Sequence, residues 1–170
     1  NETVRRLGGS GRIFYRHRAK NTARKAGNIA DFCTRWGSQY DYMVVLDADS
    51  LLTGAALVQL SRMAYLNPKA GIIQGMPVLI GASSFYARAQ QFAVRLYGPV
   101  IGAGINFWHL GDGNYWGHNA VINVAAFTQC CGLPELPGKA PFGGHILSHD
   151  FVEAALIRRG GWEVWLVPEI

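Results

Sequence analysis

A short apolar run that ends abruptly in two carboxylates constrains this chain more than any other feature. Tyr42-Met43-Val44-Val45-Leu46 has the apolar and β-branched composition of a strand buried in a sheet. Asp47-Ala48-Asp49 follows it directly. Ligands of open α/β sheets gather where the strands end at their carboxyl side. The run therefore predicts a sheet with a polar binding site at the end of this strand.

Strand-like and helix-like segments alternate along the chain. This alternation predicts an α/β fold in which helices flank a mainly parallel sheet. Residues 1–170 are predicted to form a single domain, because no repeat, low-complexity segment or linker interrupts them. Strands are predicted at residues 12–15, 42–46, 71–74, 120–124 and 162–167, helices at 22–36, 53–66, 84–96 and 148–159, and an irregular glycine-rich segment at 98–113. Thr53 and Ser148 are the predicted N-caps of their helices.

Composition excludes a disordered segment and a disulfide-stapled domain. The chain is 49% hydrophobic and 16% charged, which is too apolar for disorder. Its three cysteines are an odd number and two are adjacent, which favours a reducing cytoplasmic environment. No signal peptide is visible. The chain starts without Met and stops after a predicted strand, so we expect a segment of a longer protein whose fold is incomplete at both ends.

The net charge of +5 is concentrated near the start of the chain. A basic cluster of this kind suits a diphosphate, an anionic membrane surface or nucleic acid, and a solvated basic face is an equally open interpretation. Residues 1–25 hold eight of the sixteen Lys and Arg residues: Arg5, Arg6, Arg12, Arg16, Arg18, Lys20, Arg24 and Lys25.

Asp47 and Asp49 are candidate metal ligands. Carboxylates spaced i and i+2 can turn toward one site once the chain leaves the pleat of the strand. Proteins bind Mg²⁺ with few carboxylates and with phosphate oxygens of the substrate. We therefore expect Mg²⁺ or Mn²⁺ here, where it would neutralise the charge of a departing diphosphate. An Asp-rich turn without a metal is the alternative.

Asp150 is a candidate general base, because the transfer of a group to a hydroxyl needs a carboxylate that takes the proton. An acid that only complements the dipole of the following helix is the alternative.

Lys25, Gly27 and Asn28 end the basic segment and suit a nucleotide. Lysine provides a point charge for phosphate, glycine permits close approach, and asparagine hydrogen-bonds a base or ribose. Their alternative is a solvated helix surface.

Together these residues resemble the family 2 glycosyltransferases, which have the GT-A fold and include the cellulose, chitin and hyaluronan synthases. The resemblance covers nearly the whole chain and is closest to bacterial inner-membrane enzymes that build the backbone of osmoregulated periplasmic glucans from UDP-glucose. Five motifs occur in the family's order: Lys25-Ala26-Gly27-Asn28, Val45-Leu46-Asp47-Ala48-Asp49, Gln74-Gly75-Met76-Pro77, Trp116-Gly117-His118-Asn119-Ala120 and Ser148-His149-Asp150.

The resemblance implies a role for each matching position. Asp47 and Asp49 match the Asp-x-Asp that holds the metal and the UDP diphosphate. Lys25, Gly27 and Asn28 match a segment near the nucleotide. Gln74 matches the glutamine of a Gln-Thr-Pro strand motif, which implies that it binds the nucleotide sugar, although Gly75-Met76 stands between it and Pro77.

The acceptor side of the resemblance rests on a loop and on the base. Trp116, Gly117, His118 and Asn119 match the loop near the acceptor sugar, and Asp150 matches the catalytic base. The implied partners are UDP-glucose and a glucan acceptor, without nucleic acid. The implied location is the bacterial inner membrane for the parent protein, with this domain on the cytoplasmic side.

Two departures from the family pattern stand out. Cellulose synthases have glutamate where this chain has His149, so the resemblance does not say how the base is tuned. The family's first strand and its Gln-x-x-Arg-Trp motif are absent from the 170 residues.

A nucleotide- or nucleic-acid-binding module is the alternative function from another class of protein. Neither a P-loop nor a dinucleotide-binding glycine motif follows a strand, which disfavours those folds.

Overall fold

The computed structural model describes residues 2–139 and 142–170, and of Thr3 only its backbone. The helices are α1 (Glu2–Arg6), α2 (Arg24–Trp36), α3 (Gly54–Leu66), α4 (Phe85–His109), α5 (Val124–Cys130) and α6 (His149–Arg159). The strands are β1 (Tyr42–Val45), β2 (Ala70–Gly75), β3 (Ala120–Asn123) and β4 (Glu163–Val167). A 3₁₀ turn, Gly37–Gln39, links α2 to the segment before β1.

The four strands form one mixed sheet in the order β1-β3-β2-β4. Strand β3 runs antiparallel to both β1 and β2, and only β2 and β4 pair in parallel. The α/β class is confirmed, and the sheet is mixed, because β1, β2 and β4 run in one direction and β3 alone of the four runs against them. Hydrophobic patterning identifies β3 as a strand, whereas its direction depends on the path of the loop that leads into it.

Helices cover both faces of the sheet. On one face, Ile72 and Ile122 pack in a buried cluster with Phe127 of α5 and Ile157 of α6. On the other face, Ile73 packs with a cluster that includes Leu60 of α3. Every residue of β2 is buried, as expected for a strand covered on both sides.

Helix starts follow local sequence signals closely. The Thr53 hydroxyl accepts a hydrogen bond from the Ala56 amide at 3.1 Å, and the Ser84 hydroxyl accepts one from the Ala87 amide at 3.2 Å. These side chains satisfy amides that the first helical turn leaves unpaired. The predicted starts of α3 and α4 are therefore confirmed.

Helix α4 runs to His109 rather than ending near Leu96, so the prediction of an irregular segment at residues 98–113 is wrong over most of its length. Gly98 and Gly102 are buried along the packed side of α4. A side chain at Gly102 would place its Cβ 3.0 Å from Pro168 Cβ, after β4. The close packing that this glycine allows sustains a helix that local propensity would interrupt.

The outer side of α4 is apolar and exposed. Phe92, Val100 and Phe107 share the side of α4 that faces away from the sheet, and they are 66%, 76% and 69% exposed. Within the described part of the chain, no helix combines the length and apolarity needed to cross a membrane.

The segment before α2 also departs from prediction. Residues 12–15 do not form a strand, and Phe14 and Tyr15 are exposed. An apolar triplet after glycines resembles a strand in sequence, but here no neighbouring strand pairs with it among the described residues.

Candidate active site

The chain turns sharply after β1. The Ser50 amide donates to the Asp47 carbonyl oxygen at 3.1 Å, which closes a turn over Asp47-Ala48-Asp49. Asp47 is half-buried and Asp49 is exposed. The two carboxylates therefore stand at the carboxyl end of β1, as the sequence predicts, but in different environments.

A strained entry leads the chain into α2. Ala23 and Arg24 have φ values of 52° and 47°, in the left-handed region that non-glycine residues rarely adopt. Arg18 braces this entry, because its guanidinium donates to Thr22 O at 3.0 Å, Asn21 Oδ1 at 2.8 Å and Arg24 O at 2.7 Å. The braced entry places Lys25 in the first turn of α2.

Gly27 is required by packing at this entry. A Cβ at Gly27 would lie 2.1 Å from the Thr22 carbonyl oxygen, which is fixed backbone. Any side chain at Gly27 would clash with this carbonyl and push the segment before α2 away from the helix. The position therefore has a structural reason to be glycine in addition to the nucleotide contact that the resemblance implies.

Lys25 joins α2 to the turn after β1. Its Nζ donates to Asp47 Oδ1, and both side chains are partly exposed. A partly exposed pair of this kind contributes at most about 1 kcal/mol to stability. The pairing therefore serves mainly to hold a cation beside the Asp47 carboxylate.

A basic groove of about 470 Å³ opens at this point. It lies between the start of α2 and the turn after β1, and the backbone amides of the first turn of α2 lack side-chain caps. A helix N-terminus beside several cations is suited to an anion. The groove is lined by Arg16, His17, Arg18, Asn21, Arg24, Lys25, Asn28, Leu46, Asp47 and Ala48.

Asn28 lines the groove but is already engaged. The Arg16 guanidinium contacts the Asn28 side-chain oxygen and donates to its carbonyl oxygen at 3.1 Å. The same guanidinium forms an ion pair with Asp31. A nucleotide would compete with Arg16 for the Asn28 side chain.

Gln74 holds the loop between α4 and β3 rather than facing the groove. Its side chain is 1% exposed. Its Nε2 donates to Asn114 O at 3.1 Å, and its Oε1 accepts from the Trp116 amide at 3.0 Å. Gln74 was predicted to bind the nucleotide sugar, but both the nitrogen and the oxygen of its side-chain amide are hydrogen-bonded to backbone groups of the loop.

This loop brings Gly117 against the predicted base. Gly117 is buried, with a φ of +87° that favours glycine. A Cβ at this position would lie 3.4 Å from Asp150 Oδ2 and 3.5 Å from Lys25 Nζ. Lys25, Asp47, Gly117 and Asp150, which are far apart in sequence, therefore converge at one edge of the sheet.

The other loop residues lie close to β3. Trp116, His118 and Asn119 are half-buried. Asn119 has a φ of 52°, and its carbonyl oxygen accepts from the Gly75 amide at 3.0 Å. His118 Nδ1 and Asn119 Oδ1 are buried without a hydrogen-bond partner among the described residues.

Asp150 lies in the first turn of α6. The Ser148 hydroxyl donates to Asp150 Oδ1 at 3.3 Å and does not cap the helix backbone. The start of α6 near Ser148 is confirmed, but the predicted capping role of Ser148 is wrong. Its hydroxyl orients the carboxylate instead.

Asp150 adjoins a buried pair of side chains, His149 and Glu153, that the sequence did not predict. His149 Nδ1 lies 3.0 Å from Glu153 Oε1, and Glu153 is 1% exposed. The hydrogen bond to Glu153 raises the pKa of His149 more than burial lowers it. One sequence signal marks Glu153, since it follows His149 by four residues and lies on the same face of α6 as the apolar Ile157.

The predicted metal ligands do not form a closed site. Among the described residues, no group of three or more His, Cys, Asp or Glu side chains is arranged to hold a metal ion. Asp47 is paired with Lys25, and Asp49 makes no side-chain hydrogen bond or salt bridge within the described part of the chain.

Comparison with known proteins adds a family to this geometry. Residues 2–130 match the family described as Glycosyl transferase family 2. Similar proteins named Glucans biosynthesis glucosyltransferase H come from Dickeya dadantii, Escherichia coli and Cupriavidus pinatubonensis, with 57%, 57% and 56% identity over 169 residues. The alignments cover 99% of this chain and 20% of each relative, so the chain spans about a fifth of their length.

Proposed function

This chain belongs to glycosyl transferase family 2, and from that membership we propose that it is the catalytic segment of an inverting glucosyltransferase with the GT-A fold. The proposed reaction moves glucose from UDP-glucose to the growing β-glucan backbone of osmoregulated periplasmic glucans. The relatives at 56–57% identity carry the name of a glucans biosynthesis glucosyltransferase, which supports glucose as the transferred sugar and a glucan as the product.

The observation that carries the proposal is the convergence of four residues from four segments. Lys25 contacts Asp47, and the space above Gly117 is bounded by Lys25 Nζ and Asp150 Oδ2. A cation and a carboxylate for the diphosphate thus adjoin a second carboxylate for the acceptor, with a glycine leaving room between them. Sugar transfer from a nucleotide needs these two functions side by side.

The donor diphosphate is proposed to lie in the basic groove at the start of α2. Lys25 provides a point charge, and the uncapped amides of the first helical turn point toward the same space. Gly27 and Asn28 lie in this turn, and Gln74 acts on the donor site indirectly by fixing the loop.

Asp47 and Asp49 are proposed to hold Mg²⁺ or Mn²⁺ together with the diphosphate. Their carboxylate oxygens suit a hard cation, and a pair of carboxylates is enough when phosphate oxygens complete the coordination. When bound, the metal would supply positive charge against the diphosphate. Asp47 would then exchange its contact with Lys25 for the metal and its ligands.

Asp150 is proposed to act as general base. Its carboxylate takes the proton of the acceptor hydroxyl while the hydroxyl oxygen bonds to C1 of glucose. The bond between C1 and the diphosphate oxygen breaks, and its electron pair leaves with UDP. Attack opposite the leaving group converts an α-linked donor into a β-linked product. Trp116, Gly117, His118 and Asn119 are proposed to line the acceptor side, because Gly117 lies directly beside Asp150.

The parent protein is proposed to lie in the bacterial inner membrane, with this segment on the cytoplasmic side. The exposed apolar side of α4 supports this location, because a helix without polar residues on its outer side needs a cover. Arg88 and Arg95 lie along one flank of that side, and α4 contains no acid, which suits anionic headgroups.

The full-length enzyme in detergent or vesicles provides the test. We expect it to transfer glucose from UDP-glucose and to release UDP, with a product that β-glucanases degrade. UDP-N-acetylglucosamine and UDP-glucuronate serve as matched donors. Preference for either would favour a chitin- or hyaluronan-type synthase. Salt-dependent nucleic-acid binding without any response to UDP-sugars would overturn the proposal.

A further inference from the structure

A buried ion pair lies beside the proposed base. His149 and Glu153 are one turn apart in α6, and only 8% and 1% of their surfaces are exposed. Nδ1 of the imidazole lies 3.0 Å from Glu153 Oε1, whereas Glu153 Oε2 has no hydrogen-bond partner among the described residues. Burying a carboxylate is costly unless a cation or donors compensate it. Here the imidazole is the group that compensates.

The surroundings favour the protonated imidazole. The hydrogen bond to Glu153 is the largest influence on the pKa of His149 and raises it, while burial lowers it. The charge of Asp150 raises this pKa further, and Lys25 of α2 lowers it. The balance is a raised pKa, so the imidazolium form persists to higher pH than in an exposed histidine.

The other titratable groups that face Glu153 are neutral near pH 7. Burial is the main cause that raises the pKa of Tyr115, which precedes β3, and of Cys131, which follows α5. Cys33 of α2 is shifted in the same direction by burial. None of the three supplies a positive charge that could replace the imidazolium beside Glu153.

The influence between His149 and Asp150 is mutual. The charge of Asp150 favours the imidazolium form of His149, and the positive imidazole in turn attracts the carboxylate of its chain neighbour Asp150. Glu153 contacts Nδ1 of the His149 ring from the protein interior, so the ring edge opposite Nδ1 faces away from Glu153. The Ser148 hydroxyl holds Asp150 Oδ1 at 3.3 Å.

We propose that Glu153 is a positioning residue that keeps His149 as an imidazolium, and that this imidazolium fixes the Asp150 carboxylate for transfer. The inference rests on the proposed glucosyl transfer. Above the pH at which His149 loses its proton, the positive charge beside Asp150 is lost. Transfer should therefore decline at high pH as His149 deprotonates.

The test is the pH profile of kcat for the full-length enzyme with UDP-glucose. Glu153→Gln keeps the volume and an oxygen acceptor but removes the charge that raises the pKa of His149. We expect its high-pH limb to move to lower pH, with kcat falling about tenfold for each unit of displacement at a pH above the limb. Glu163→Gln on β4 makes the same chemical change outside the site and should leave the profile in place.

His149→Gln provides an independent arm. It removes the titrating group, so the high-pH limb should disappear, and adding Glu153→Gln to it should cause no further displacement. A Glu153→Gln enzyme whose kcat falls equally at every pH would overturn the proposal, since that indicates structural support alone. If Glu153→Gln does not fold, a limb that persists in His149→Gln overturns it. An unmodified enzyme without transfer from UDP-glucose would instead refute the proposed function.

Discussion

Replacing Gln74 with leucine removes the two hydrogen bonds that hold the loop in front of β3. The side chain is 1% exposed, and leucine fits a buried position of similar volume without replacing either bond. The Asn114 carbonyl and the Trp116 amide lose their partners. Gly117 follows directly, so the loop that adjoins Asp150 becomes less well fixed.

The size of the effect follows from the number of groups left unpaired. Each unpaired polar group in a buried setting costs about 1–3 kcal/mol. Asn114 and Trp116 are half-buried, which admits some water, so we expect about 2–3 kcal/mol for the loop as a whole. Since 1.4 kcal/mol is a factor of ten, local opening of the loop should become about 30–150 times more favourable.

Hydrogen–deuterium exchange of the full-length protein measures this opening. In Gln74→Leu, peptides that contain the Trp116 amide should exchange faster by that factor, while α3 exchanges at its original rate. Gln59→Leu, on the exposed side of α3, is the matched control and should leave the loop unchanged. If Gln74→Leu weakened UDP binding without faster exchange in the loop, Gln74 would contact the nucleotide and the argument for a structural role would be refuted.

Three further predictions concern the metal, the loop glycine and α4. Asp49→Ala should abolish the dependence of UDP binding on Mg²⁺ in calorimetry, and an unchanged dependence would refute the metal assignment. Gly117→Ala forces alanine into a φ of +87° and should lower the free energy of unfolding by about 1–2 kcal/mol. It also brings a methyl to 3.4 Å from Asp150 Oδ2, so transfer should fall; undiminished stability and transfer would contradict this. A nitroxide at Val100 in vesicles should collide with oxygen but be shielded from a water-soluble nickel complex, unlike a label on α3. Free access of nickel would exclude the proposed lipid contact.

Features decided by neighbouring residues were predictable from the sequence. The cap at Thr53 and the start of α4 at Ser84 need only the first turn of each helix, and both occur where the sequence predicts them. The end of β1 at the Asp-x-Asp turn needs only the change from apolar to polar residues. Of these elements, β1 positions Asp47 and Asp49 of the candidate site.

Features decided by distant contacts were not predictable. The direction of β3 depends on a loop held by Gln74, and the continuation of α4 depends on Gly102 packing near Pro168. Glu153 was missed because an acid in an amphipathic helix normally faces water, and only the folded chain buries it beside His149.

Transfer by the Asp150→Asn enzyme tests the central claim most directly. In the full-length protein, asparagine keeps the shape of the side chain but cannot take the acceptor proton. We expect the rate of glucose transfer to fall about 10²–10⁴-fold, the usual contribution of a general base, while UDP affinity is retained. Asp41→Asn, on the exposed segment before β1, is the matched control. Near-normal transfer by Asp150→Asn, or a parallel loss of UDP binding, would contradict the assignment of Asp150 as the base.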